Sequence, residues 1–199
     1  HIGMWEEGLS FEGDDGNEMS DPITPELRAI DAVNPFDRCF EEARAGGVTT
    51  CVTGPGSANV LGGQFAALKT KPGSVEAKLI LEPVAMKAAL GENPKSVYGG
   101  QKTAPQTRMA TAALLRRALL EARDYTHKME AEDESDRPEF DMAKAALLPV
   151  LNGELLLKIH AHRADDILTA VRIAKEFGLR LSLEHCTEGH LIPAEDDLG

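Results

Sequence analysis

The stretch LLLKIHAHRADDILTAVRIAKEFGLRLSLEH, residues 155–185, decides the fold class. ELLLKIHAH, 154–162, reads as a strand. Side chains alternate along a strand, so Lys158, His160 and His162 share one face, and Leu155, Leu157, Ile159 and Ala161 share the other. DDILTAVRIAKEFG changes the period: Ile167, Ala170, Val171, Ala174 and Phe177 fall on one helical face, and Gly178 supplies the stop. LRLSLEH, 179–185, is a second strand, in which His185 has the parity of Leu181 and Leu183 and Glu184 the opposite one. Strand, helix and strand with links this short predict a right-handed βαβ unit.

The pattern extends upstream. In NPFDRCFEEARAGG, 34–47, Phe36, Cys39, Phe40 and Ala43 have helical spacing, and Gly46-Gly47 ends the helix. The β-branched VTTCVT, 48–53, follows as a strand, so EEARAGGVTTCVT fits the same alternation. It opens into the glycine-rich GPGSANVLGGQ, 54–64. TPELRAIDAV, 24–33, predicts a short helix with Thr24 as N-cap and Pro25 in its first turn. Residues 65–94 contain strand-like pieces broken by Pro83. Residues 105–133 predict a long helix with Ala112, Leu115, Leu119 and Ala122 on its apolar face, and FDMAKAALLPV another that ends near Pro149.

Bulk properties narrow the function. A chain of 199 residues can bury one domain's core, and a net charge of -12 argues against a grip on nucleic acid phosphates. Much of that charge sits in WEEGLSFEGDDGNEMSD, 5–21, which reads as a solvated loop or as a flap near a cationic site. Cys39, Cys51 and Cys186 form no CxxC pair, which points to reduced thiols and a cytoplasmic location. No apolar run approaches the ~20 residues that span a bilayer.

Both strands of the 155–185 unit end in imidazole. Adjacent parallel strands lie about 4.8 Å apart, so His160 and His185 can converge on one ion. Neutral imidazole suits zinc, iron and other borderline metals. In α/β barrels the C-terminal strand ends carry the active site. His162 is then a second ligand, a substrate contact or an outer partner of the site. His127 reads as a surface residue of the long helix, and His190 belongs to the loop or helix after the strand. A phosphate-cradle reading of 54–64 lacks the following G-K-[ST]. A substrate-shaping loop offering Ser57, Asn59 and Gln64 fits better. Arg163 is placed to meet a substrate carboxylate or to pair with Asp165 or Asp166.

LKIHAHRADDILTAVRIAKEFGLRLSLEH resembles the fifth and sixth strands of the metal-dependent amidohydrolase superfamily, in particular its imidazolonepropionase-like branch. HIGMWEEG, 1–8, looks like the tail of that family's first-strand His-x-His motif, and AGGVTTCVTGPGSANVLGGQ like its second strand and the loop after it. The resemblance implies a (β/α)8 TIM barrel holding one or two divalent ions. For this chain it implies a single incomplete barrel domain over 1–199, a fragment without the final strands or any flanking β-sandwich domain. His160 and His185 carry over as metal ligands, and His1 as the second histidine of the first-strand motif, its first lying two residues upstream. Lys87, carboxylated, and Glu92 compete for the additional ligand position, and spacing does not separate them. His162, Arg163, Asn59 and Gln64 are the substrate-side candidates.

The reaction implied is metal-assisted hydrolysis of amide-type or cyclic C–N bonds in a small molecule. The ion activates water and polarises a carbonyl, and zinc is the first expectation, with iron and manganese as alternatives. The family's general base is an aspartate ending the eighth strand. It is expected beyond residue 199, which would leave the fragment inactive alone. Rival readings are a barrel relative that only binds metal or a partner, and another metal-dependent barrel enzyme such as a lyase or phosphoesterase. An open barrel edge would also invite homo-oligomer formation.

Overall fold

A computed structural model describes residues 1–6 and 9–192. Its strands are β1 (Thr50–Thr53), β2 (Leu61–Gln64), β3 (Ala66–Lys69), β4 (Leu79–Leu81), β5 (Ala85–Ala89), β6 (Leu156–Ala161) and β7 (Leu181–His185). Its α-helices are α1 (Arg38–Ala45), α2 (Val75–Lys78), α3 (Glu92–Gly100), α4 (Arg108–Met129), α5 (Met142–Leu151) and α6 (Ala164–Phe177). The fold is mixed α/β. One sheet has the order β2-β5-β6-β7, and a second has the order β1-β3-β4.

The 155–185 unit forms as the sequence predicts. β6 and β7 pair in parallel with α6 between them, and Gly178 closes α6 in the left-handed conformation. β5 adds in parallel on the other side of β6, with Lys87 opposite Lys158 and Ala89 opposite His160. The apolar face of this sheet is buried under α4, α5 and α6. Leu157, Ile159, Leu115, Leu119, Val150, Ala170 and Ile173 are all fully enclosed there. At roughly 2 kcal/mol for each large aliphatic side chain, this layer is the main source of stability and fixes the strand ends that carry the histidines.

Two expectations fail. VTTCVT is a strand, but β1 runs antiparallel to β3, with Thr50 opposite Lys69, and does not continue the parallel alternation. The glycine-rich segment turns the chain into β2, which pairs antiparallel with β5. One residue, Phe65, then separates β2 from β3, too short a link for a crossover between parallel strands. The predicted helix over 24–33 shrinks to a 3-10 turn at Ala29–Asp31. Its would-be cap is occupied elsewhere: the Thr24 amide and hydroxyl both donate to the Leu61 carbonyl, at 2.9 and 3.2 Å. Ile23 and Arg28 bridge Leu61 and Gln64 alongside β2. Pairing with the sheet overrides local helix propensity here.

The open sheet leaves β7 with a neighbour on one side only among the described residues, and no closed barrel is formed by them. The three cysteines are free thiols. No helix among the described residues is long and apolar enough to cross a membrane.

Candidate metal centre

The register of the parallel strands builds the site. In such a ladder, paired residues point to the same side of the sheet. Lys87, Lys158 and Ser182 therefore form one row, and Ala89, His160 and Glu184 the next. This face carries an ion-pair cluster: Lys87 and Lys158 both donate to Glu184, the second at 3.2 Å. Lys87 is fully buried, and burial pulls its pKa down against the stabilising pull of Glu184. Burial works to raise the Glu184 carboxyl, but the two lysines outweigh it and hold it below the ordinary value.

Parity alone would turn His185 toward the apolar face with Leu181 and Leu183. The backbone corrects this. His185 and Cys186 adopt φ values of 71° and 48°, in the left-handed region that non-glycine residues rarely enter. The turn swings the His185 ring back over the strand ends. There His160, His162 and His185 meet, with ring centroids 4.7, 4.7 and 4.8 Å apart pairwise. One nitrogen from each lies within 4.8 Å of the other two.

The surroundings orient two of these rings. His160 Nδ1 lies 3.0 Å from Ser57 Oγ, and Asn93 Nδ2 lies 3.3 Å from His160 Nε2. His162 Nδ1 lies 2.7 Å from Thr187 Oγ1. Glu92 Oε1 stands 3.8 Å from His160 Nε2 and 4.0 Å from His162 Nε2. His160 is buried, and that burial, followed by the charges of Lys87, His185 and His162, pushes its pKa down to about 4. It is a neutral imidazole across the physiological range, the form that ligates metals.

The cleft above the rings has a volume of about 480 Å³ and is walled by His1, Trp5, Asn17, Met19, Ser57, Asn93 and Val97 among others. His1 donates from Nδ1 to the Gly54 carbonyl at 2.5 Å, and its ring lies 4.4 Å from that of Trp5. The acidic N-terminal segment thus supplies part of the wall, held by Asn17 Oδ1 accepting the Ala58 N–H at 3.0 Å. A larger hollow of about 740 Å³ shares only Asn17 and Met19 with this cleft and contains no histidine.

The other candidates are placed as follows. Glu92, the first residue of α3, faces the cluster, whereas Lys87 is turned to Glu184. Arg163 grips Asp165 through Nε and Nη2 at 3.0 and 2.9 Å, and Asp166 pairs instead with Arg108. Asn59 is buried, with its amide donating to the carbonyls of Glu18 and Asp21 and to Thr24 Oγ1, so it ties down the N-terminal segment. Gln64 donates to the Pro25 carbonyl. It pairs with Met86, which lies beside Leu157, three residues before His160, and so sits toward the opposite end of the sheet. His127 is exposed on α4, and His190 lies in a 3-10 turn after β7 with Nδ1 3.2 Å from the Thr187 carbonyl. Asn93 and Thr187 touch the cluster and Glu184 pairs with the lysines beside it, and none of the three takes a part in the site when the sequence alone is read. For Glu184 the signal was present, since its alternation with Ser182 follows from strand period alone.

No family model matches the chain. Amidohydrolase tasK of Hapsidospora irregularis is 32% identical over 205 residues, a match that takes in 90% of this chain and 21% of that protein. The crystal structure of an amidohydrolase from Thermotoga maritima superposes with a TM-score of 0.91 at 45% identity, over 96% of this chain and 50% of its own. The chain thus spans half or less of the length of the relatives it matches. Along nearly all of its own length, this chain is similar in sequence and in fold to part of an amidohydrolase.

Proposed function

We propose that the chain is part of a metal-dependent amidohydrolase barrel of the imidazolonepropionase-like branch, acting on amide-type or cyclic C–N bonds of a small molecule. Residues 1–199 are read as one incomplete barrel domain of a cytoplasmic enzyme. The observation that carries the reading is the convergence of three imidazoles from two adjacent parallel strands, with a carboxylate facing two of them.

The donor set fits a divalent cation. Three imidazole nitrogens with one carboxylate oxygen suit zinc first, and iron or manganese next. His160, His162 and His185 would hold the ion, with Glu92 as the additional ligand. Lys87 as an ammonium has no lone pair to offer, and its bond to Glu184 favours Glu92 over it. His1 borders the same cleft, and its Nδ1 bond to Gly54 leaves Nε2 as the free nitrogen, which supports a place in the same site for one or two ions. A bound ion supplies Lewis acidity, bringing the pKa of a water toward ~7 and polarising a carbonyl.

The chain's own residues do the rest. Trp5, Met19 and Val97 give the cleft apolar walls that bind a small substrate and limit water. The amide of Asn93 is placed to orient a substrate oxygen beside the rings. Arg163 starts from a bidentate pair with Asp165, so contact with a substrate carboxylate requires exchange of partners.

Metal analysis of the purified chain, together with His160→Ala and His185→Ala, tests the reading. Stoichiometric zinc, iron or manganese in the wild type, lost in both variants, supports it. Unchanged metal content in both variants refutes the ligand set. Metal content without turnover of cyclic and N-acyl amides by a full-length relative carrying this segment would point to a binding protein instead.

A further inference from the structure

We propose that Ser57 and Thr187 are positioning residues, whose hydroxyls accept the Nδ1–H of His160 and His162 and so keep both Nε2 atoms, on the side of Glu92, unprotonated. The inference rests on the reading of the cluster as a metal centre and deepens it.

An imidazole can bind a cation through only one nitrogen at a time, and the hydrogen bond at the other nitrogen selects which. At His160 the two sides are distinguishable. The Asn93 amide nitrogen lies 3.3 Å from Nε2, and an amide N–H there donates, so Nε2 accepts and the proton belongs on Nδ1. Nδ1 then donates to Ser57 Oγ at 3.0 Å. At His162 the corresponding partner is Thr187 Oγ1, 2.7 Å from Nδ1. The two Nε2 atoms face one carboxylate oxygen, Glu92 Oε1, at 3.8 and 4.0 Å. Two hydroxyls on one side and one carboxylate on the other give both rings the same polarity.

The two hydroxyls come from different parts of the fold, and each is itself fixed. Ser57 belongs to the glycine-rich loop after β1, which the N-terminal segment pins through the Gly56 N–H to the Gly16 carbonyl at 2.7 Å. Thr187 belongs to the turn after β7. That turn is tied to the end of β6 by Cys186 N–H to Ala161 O at 3.0 Å and by Glu188 N–H to His162 O at 2.9 Å. The Glu188 carboxylate also accepts the Ala164 N–H at 2.9 Å, at the start of α6. The strand-end turns are thus tied to one another, and the spacing of His162 and His185 is set by backbone bonds that do not involve either ring.

The test uses the 199-residue chain stripped of metal, with its histidine side chains labelled with nitrogen-15, well above the ordinary imidazole pKa. Two-bond nitrogen–proton correlation spectra report which ring nitrogen carries the proton. The expected result is the Nδ1–H form for His160 and His162 in the wild type. Ser57→Ala should shift His160 toward a tautomer mixture, and Thr187→Val should do so for His162, each leaving the other ring unchanged. Competition with a chromogenic chelator for Zn²⁺ should show affinity falling by about 10–100-fold in each variant, with Thr187→Ser restoring it. Thermal melts check that the variants remain folded. Nε2–H forms in the wild type, or tautomers indifferent to both substitutions in folded protein, would overturn the proposal. Because the tautomers are read without metal, a wild type that binds no Zn²⁺ yet shows the expected tautomers would defeat the metal reading alone.

Discussion

His160 and His185 are out of register by one residue in the β6–β7 ladder, where His160 stands opposite Glu184, and yet their rings lie 4.7 Å apart. Register puts a carboxylate where the second imidazole was expected. The left-handed backbone at residues 185 and 186 then brings that imidazole back to the mouth. The same face of the sheet therefore holds an ion-pair cluster beside the histidines, with Glu184 in the row of His160 and the two lysines in the row before it.

This backbone is expected to store strain. A non-glycine residue in the left-handed region costs about 1–2 kcal/mol, and among the described residues Cys186 has no side-chain hydrogen bond to offset it. We expect Cys186→Gly to raise stability in urea by about 1 kcal/mol while leaving Zn²⁺ affinity unchanged. His185→Gly should lose the metal affinity despite the same relief. A destabilised Cys186→Gly would mean that packing of the side chain outweighs the strain.

The ion-pair cluster beside the rings should be sensitive to half-removal. Lys87 is fully buried and relies on Glu184. Glu184→Gln leaves that ammonium facing a neutral amide, and we expect a loss of about 3 kcal/mol at neutral pH. The double variant Lys87→Met with Glu184→Leu should recover most of it, since an apolar pair of similar volume needs no charge partner. Lys158 reaches water and can remain. Equal losses in the single and double variants, read from denaturant unfolding, would show that the pair is not coupled.

How much of this was legible beforehand follows from which forces act locally. The βαβ unit of 155–185 was readable because its periods of two and then 3.6 are carried by the residues that become core: Leu157, Ile159, Ala170 and Ala174 are buried as the pattern requires. The long helix likewise buries Ala112, Leu115, Leu119 and Ala122. The segment 24–33 misled because its caps are satisfied by β2, a partner some 37 residues away for Thr24 and Leu61. Asn59 misled for the same reason: a polar residue in a glycine-rich loop reads as open to substrate until its amide is found bound to Glu18, Asp21 and Thr24. The histidine cluster was legible in its membership, but not in how His185 joins it, because a positive φ at a non-glycine residue leaves no mark in composition or spacing. Lys87 and Glu92 were inseparable by spacing since β5 ends between them, and one looks along the sheet while the other heads α3.

Cys39 offers a pH test away from the site. Its thiol is pushed up to about 12, first by burial and then by the neighbouring Asp37 carboxylate, while the Gly3 N–H donated to its sulfur at 3.2 Å works the other way. The folded chain therefore disfavours the thiolate. The stability this confers is complete below the unfolded thiol pKa of about 8.5, and it is lost as pH rises from there toward 12. At mildly alkaline pH we expect iodoacetamide to modify Cys39 on the order of a thousand-fold more slowly than in the urea-unfolded chain. Mass spectrometry of timed digests gives the rate. A difference below tenfold would show that the thiol is not held in its neutral form.

Gly91 couples the fold to the candidate ligand beside it. Its φ is 81°, and a Cβ built there would stand 2.6 Å from Asp166 Oδ2. Asp166 cannot step aside, because it is buried and held by Arg108 Nε and Nη2 at 2.8 and 3.1 Å. Arg108 begins α4, and Asp166 lies in the first turn of α6, so the clash would be transmitted to both helices as well as to Glu92, the next residue in the chain. We expect Gly91→Ala to cost about 2 kcal/mol and to weaken Zn²⁺ binding by displacing the Glu92 carboxylate. Asp166→Ala removes the obstacle but not the strained φ, so the two substitutions should combine to less than the sum of their separate costs. Strict additivity would place the effect of Gly91→Ala in its own backbone, with the aspartate uninvolved.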